Sequence, residues 1–149
     1  MKSIFIKHIS LFLIFTSLIV FIGCEKKHAT KVDENSSEGT YENVTAEEAS
    51  ALIEQNKENP DFIILDIRTP GEFNRGHIAG AQNMDFYNSD FDSNLEQLDK
   101  TKIYFVYCAS GNRSGQAVNK MKSLSFQTVY NLSGGISSWA NSGYDVVTS

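Results

Sequence analysis

The chain has 149 residues and a formal net charge of −5, from 13 Lys and Arg against 18 Asp and Glu. An acidic balance with no basic stripe excludes a nucleic-acid-binding protein, and two cysteines, Cys24 and Cys108, exclude a disulfide framework. The three histidines, His8, His28 and His77, lack ligand-like spacing, so no metal and no cofactor is expected, and the length suits one compact domain once its beginning is set aside.

Lys2 and Lys7 precede the apolar stretch Ile9 to Ile22. A spanning helix takes about 20 apolar residues and a signal-peptide core roughly 7–15, so residues 1–23 are read as an export signal. Val20-Phe21-Ile22-Gly23-Cys24 resembles a bacterial lipobox, with Phe21 where that pattern usually has leucine. The resemblance implies lipidation of Cys24 and anchoring to a membrane of the cell envelope. A plain signal peptide with an incidental cysteine, or an uncleaved anchor, is the alternative. Residues 24–40 are polar and aperiodic and are expected to form a flexible tether.

The folded domain is expected over residues 41–149. Val44-Thr45-Ala46-Glu47-Glu48-Ala49 reads as a helix start, with Thr45 and Glu48 as a capping box. Asp61 to Asp66 reads as a buried strand, followed by a loop from Ile67 to Ala81 and a short strand at Gln82-Asn83-Met84. Leu95 and Leu98 suggest a short helix between Asp92 and Asp99. A strand over 102–107, a helix over 114–124, a strand at Thr128-Val129-Tyr130 and a last helix opened by Gly134-Gly135 complete the pattern. Strands alternating with helices imply an α/β fold whose mainly parallel sheet is covered on both faces. In such sheets ligands bind beyond the carboxyl ends of the strands, where Asp66 and Cys108 both fall.

Cys108 ends the strand Lys102-Ile103-Tyr104-Phe105-Val106-Tyr107 and begins the small-residue loop Cys108-Ala109-Ser110-Gly111-Asn112-Arg113 ahead of a helix. Loop amides and the positive end of the helix dipole favour thiolate over thiol there, so Cys108 is the candidate nucleophile. Ala109, Ser110, Gly111, Asn112 and Arg113 are the candidate binding residues. Gly111 can take backbone angles other residues resist, and Arg113 carries a permanent planar charge suited to a sulfonate-like group.

Three segments resemble the single-domain rhodanese-type sulfurtransferases. They are Leu65-Asp66-Ile67-Arg68 through Gly76-His77-Ile78-Ala79-Gly80-Ala81, then Cys108 to Ser114, then Leu132-Ser133-Gly134-Gly135-Ile136-Ser137-Ser138-Trp139. The resemblance covers residues 41–149 and implies a rhodanese-like three-layer fold. It also implies ping-pong transfer of a sulfane sulfur from a small donor such as thiosulfate to cyanide or a thiol, through a Cys108 persulfide and without a cofactor. A monomer is expected. The rival readings are a rhodanese-like sulfur carrier with little turnover, and a cysteine-dependent phosphatase or arsenate reductase. The last two use a loop one residue longer between cysteine and arginine, and the shorter loop suits a single sulfur atom.

Asp66 and Arg68 are expected to support the site rather than touch substrate, with Arg68 pairing with Asp66 or Glu72. Some two-domain relatives use an arginine in this first segment to hold thiosulfate. Glu72 stands at the matching position, and its carboxylate repels an anionic donor unless another group neutralises it. His77, Trp139 and Gly134-Gly135 are read as structural, and Tyr107 as strand core or as lining for the pocket mouth.

Overall fold

The structure, a computed structural model, describes residues 39–148. The expected signal segment 1–23, Cys24 and the tether up to residue 38 lie outside the described residues. The elements run β1 (Thr40–Val44), α1 (Ala46–Gln55), β2 (Phe62–Asp66), α2 (Pro70–Arg75), β3 (Gln82–Asn83), α3 (Phe91–Gln97), β4 (Ile103–Tyr107), α4 (Asn112–Ser123), β5 (Thr128–Leu132) and α5 (Gly135–Asn141). The sheet order is β1-β5-β4-β2-β3, and every adjacent pair is parallel.

Side chains alternate across the sheet because successive Cβ atoms point to opposite faces. On β4, Tyr104 and Val106 pack with Leu95 of α3 and with Ala117 and Met121 of α4. Phe105 and Tyr107 face the other way, toward Ala49 of α1 and Trp139 of α5. Both faces are therefore dry, and the central strand needs no polar alternation. Burying each such large side chain is worth roughly 1.5–3 kcal/mol relative to exposure, so the two clusters supply most of what holds the layers together.

Two elements were not anticipated from the sequence. β1 is an edge strand, paired with β5 from Thr40↔Thr128 to Val44↔Leu132. α2 lies inside the segment read as a loop. Its start is strongly specified: Pro70 occupies the first turn, Thr69 Oγ1 accepts from the Glu72 amide, and Glu72 accepts from the Thr69 amide. The same reciprocal cap opens α1, between Thr45 and Glu48.

A wholly parallel sheet gathers its carboxyl ends on one rim. Asp66 pairs with Tyr107 in register, so the chain leaves β2 and β4 side by side and Cys108 follows at once. The turn from β5 into α5 lies at the same end and closes on the loop after β4.

Candidate active site

The loop after β4 is shaped by glycines that no other residue replaces. Gly111 has φ +91 and caps α4, and its amide donates to Cys108 Sγ at 3.2 Å. Gly135 has φ +60, and a Cβ there would lie 2.4 Å from the Cys108 carbonyl oxygen. The space goes to hydrogen bonds: Ile136 N donates to Cys108 O (2.9 Å) and Ser137 N to Ala109 O (3.2 Å). The Gly134-Gly135 turn thus lets the first turn of α5 hold the cysteine loop by its own carbonyls.

Cys108 is 1% exposed, at the floor of this loop. Burial pushes its thiol up. Hydrogen bonds from the Ser114 amide and hydroxyl, and from the amides of Ser110 and Gly111, outweigh burial and bring it below its ordinary value. The hydroxyl of fully buried Ser114 has two acceptors in reach, Cys108 Sγ (3.6 Å) and Gly111 O (3.2 Å). Ser114 was not among the residues singled out from the sequence. The available signal was its place in the first turn of the helix that follows the cysteine, where amide and hydroxyl both turn back toward Cys108.

Arg113 does not stand as an open cation beside Cys108. Its Nη1 and Nη2 donate to the two carboxylate oxygens of Glu72 at 2.9 and 2.7 Å. The side chains are 13% and 23% exposed. The Arg113 guanidinium, helped by the Thr69 amide and hydroxyl against the opposing effect of partial burial, holds the Glu72 carboxyl down at about 2. Arg113 is in turn driven further toward its charged form, chiefly by Glu72, and it also feels the charge of Cys108. The guanidinium lies 5.4 Å from the centre of the Tyr87 ring, and Tyr87 is 69% exposed. Glu72 is thus neutralised from within the site, and Tyr87, which carried no signal in the sequence, stands beside the pair.

Asp66 and Arg68 form a separate buried unit. Arg68 Nε donates to both Asp66 oxygens at 3.0 Å, and Nη2 donates to Asp66 Oδ2 (2.5 Å) and to Gly76 O (2.7 Å). Asp66 also accepts from the Arg68 amide at 2.9 Å. These bonds tie the end of β2 to the end of α2, the helix that carries Glu72. Of the two partners open to Arg68, the structure selects Asp66. Tyr107 is fully buried, away from any pocket mouth, and its hydroxyl accepts from the Ile78 amide at 3.0 Å. His77 donates from Nδ1 to Phe73 O (3.1 Å) and stacks on Phe73. Trp139 Nε1 donates to Asp145 O at 2.9 Å. Among the described residues no cluster of three or more His, Cys, Asp and Glu could hold a metal.

The arrangement can therefore do one thing well. It presents one thiol lowered toward its thiolate form by hydrogen bonds to the sulfur, beside an arginine whose charge is already matched. Comparison with known proteins agrees with that chemistry. A family model described as Rhodanese-like domain matches residues 45–142. A thiosulfate sulfurtransferase of Tolumonas auensis is 28% identical over 99 residues, covering 66% of this chain and 88% of that protein. A sulfurtransferase of Allochromatium vinosum is 30% identical over 100 residues, covering 67% and 92%. The crystal structure of a rhodanese-related protein from Thermoplasma volcanium superposes with a TM-score of 0.60 at 34% identity, over 73% of this chain and all of that one. The matched segment spans α1 to α5 and holds the cysteine loop together with both of its supporting helices: the chain belongs to the rhodanese-like domain family.

Proposed function

We propose that this protein is a sulfurtransferase that carries a sulfane sulfur on Cys108. The observation that supports it is the convergence of the Gly111 amide (3.2 Å) and the Ser114 hydroxyl (3.6 Å) on Cys108 Sγ. In the first half-reaction the thiolate attacks the outer sulfur of a donor. The new Sγ–S bond forms, the old S–S bond breaks, and its electron pair leaves with the inner group. In the second, an acceptor nucleophile such as cyanide or a thiol attacks the outer sulfur of the persulfide, and Cys108 leaves as thiolate. Hydrogen bonds to the sulfur favour the first step by raising the fraction of Cys108 present as thiolate, and the second by stabilising Cys108 as the departing thiolate.

Thiocyanate production from thiosulfate and cyanide by the purified protein, with mass spectrometry of Cys108, tests this. The expected results are one added sulfur on Cys108 and turnover that vanishes in Cys108→Ser. Equal turnover in that variant sinks the assignment. Stable persulfide with no thiocyanate makes the protein a sulfur carrier instead.

The same reading places the protein at the cell envelope, held by lipid on Cys24. Support comes from the apolar Ile9 to Ile22 stretch and from Cys24 at its boundary. Cys24→Ala is expected to release the protein from membranes or to block its maturation, and complete membrane retention of that variant would argue for an uncleaved anchor.

A further inference from the structure

The proposed sulfur transfer leaves the donor unnamed, and the matched charge beside Cys108 bears on it. Glu72 Oε2 receives the Thr69 amide (3.0 Å), the Thr69 hydroxyl (2.9 Å) and Arg113 Nη1 (2.9 Å), while Oε1 receives Arg113 Nη2 (2.7 Å). The carboxylate is thus fixed from both sides, and it holds both terminal nitrogens of the guanidinium. At Cys108 the Gly111 amide (3.2 Å) and the Ser114 hydroxyl (3.6 Å) are directed at the sulfur itself. Thiosulfate, arriving with its two negative charges, meets an ion pair instead of a free cation. Beside the pair lies the exposed Tyr87 ring, an amphipathic surface for an organic group rather than for an inorganic anion.

We infer that Glu72 sets donor specificity by occupying Arg113, and that the site takes its sulfur from a low-molecular-weight organic persulfide in preference to thiosulfate. Cys108 thiolate attacks the terminal sulfur of R–S–SH, the Sγ–S bond forms, and the S–S bond to R–S breaks with its electron pair. R–S⁻ departs, the terminal sulfur keeps its hydrogen, and no oxidant or reductant is consumed. The R group lies against Tyr87. This inference rests on the sulfurtransferase reading. Glu72 is a positioning residue in it, acting through Arg113.

Glu72→Gln isolates the charge. Glutamine at this position of a capping box still accepts from the Thr69 amide, so α2 keeps its cap while Arg113 loses its counter-ion. The experiment compares N-acetylcysteine persulfide with thiosulfate as donors, in wild type, Glu72→Gln, Glu72→Asp and Tyr87→Ala. Single-turnover formation of the Cys108 persulfide and steady-state kcat and KM are both followed. The wild type is expected to favour the organic persulfide by about tenfold or more in kcat/KM, the scale of one charge-assisted hydrogen bond. Glu72→Gln is expected to raise kcat/KM for thiosulfate by about tenfold, mostly through KM, with little change for the persulfide. Glu72→Asp is expected to keep the wild-type preference, and Tyr87→Ala to lower the rate with the persulfide alone. A wild type that prefers thiosulfate overturns the inference without any variant. Equal changes for both donors in Glu72→Gln also overturn it, because a merely structural role would move them together. If neither donor places sulfur on Cys108, the underlying sulfurtransferase reading falls, which is a different result from a reversed preference.

Discussion

Arg113 and Glu72, 41 residues apart in the chain, form a two-point ion pair in which each terminal nitrogen of the guanidinium meets its own carboxylate oxygen. The pair joins the first turn of α4 to the first turn of α2, so the helix that supports the Cys108 cradle is tied to the helix that follows β2. Two-point geometry also resists the side-chain mobility that weakens most surface ion pairs.

The pair makes acid stability depend on Glu72. Its carboxyl lies at about 2 in the folded protein against an ordinary 4.5, chiefly because of Arg113. A depressed carboxyl contributes its full stabilisation above the unfolded value and loses it as pH falls through the folded one. Urea unfolding of the wild type minus that of Glu72→Gln is therefore expected to be about 1–2 kcal/mol at pH 6, after allowing for solvent screening, and to shrink between pH 4.5 and 2. A difference that stays constant across that window would mean that Arg113 does not hold the carboxylate.

Ser114→Ala removes a hydroxyl donor from Cys108 but leaves the backbone amides in place. Hydrogen bonds to the thiolate lower the thiol, so losing one raises it. Iodoacetamide alkylation of Cys108 at pH 7 is expected to slow by about 3–10-fold, with the midpoint of the rate profile displaced to higher pH. An unchanged profile would leave the loop amides alone responsible.

Arg68→Met strands the carboxylate of Asp66, which is fully buried, and frees the carbonyl of Gly76. Breaking a buried pair from one side costs about 3–5 kcal/mol. Chemical denaturation is expected to show that loss, and activity at permissive temperature to fall less than stability, because neither residue bonds to Cys108. A drop in kcat with stability retained would assign Arg68 a direct part in the chemistry.

Gly135→Ala and Gly115→Ala are expected to act in opposite directions. The first places a methyl group 2.4 Å from the Cys108 carbonyl at a φ of +60, which costs about 3 kcal/mol or more and disorders the cysteine loop. The second lies within α4 with nothing inside 4 Å of its new carbon, and gains about 0.5–1 kcal/mol from lower chain entropy. Thermal melts of both, with alkylation of Cys108 as the second readout, check the contrast.

Much of this protein was legible in the sequence because the relevant chemistry lies within a few consecutive residues. The apolar run of β4 ending at Cys108, the glycine that turns the chain, and the helix after it are neighbours along the backbone, and so is the Thr45–Glu48 box that opens α1. The start of α2 was equally local, in Thr69-Pro70-Gly71-Glu72, but a six-residue helix between two strands shows too little apolar periodicity to stand out from a loop. β1 escaped for another reason. It is an edge strand of Thr, Tyr, Glu, Asn and Val, with Thr, Glu and Asn polar, and only its pairing with β5 makes it a strand.

By itself the sequence determined the alternation of strands and helices apart from β1 and α2, the candidate nucleophile and the loop that surrounds it, since those depend on backbone conformation and on residues a turn apart. The tertiary structure alone decided that Arg113 is taken by Glu72, that Arg68 takes Asp66 and that Tyr87 stands beside the Arg113–Glu72 pair. A charged side chain has several partners in reach of its composition and spacing. Which one it takes is settled by the strand register and the packing of the layers, which bring residues 41 positions apart within hydrogen-bonding distance.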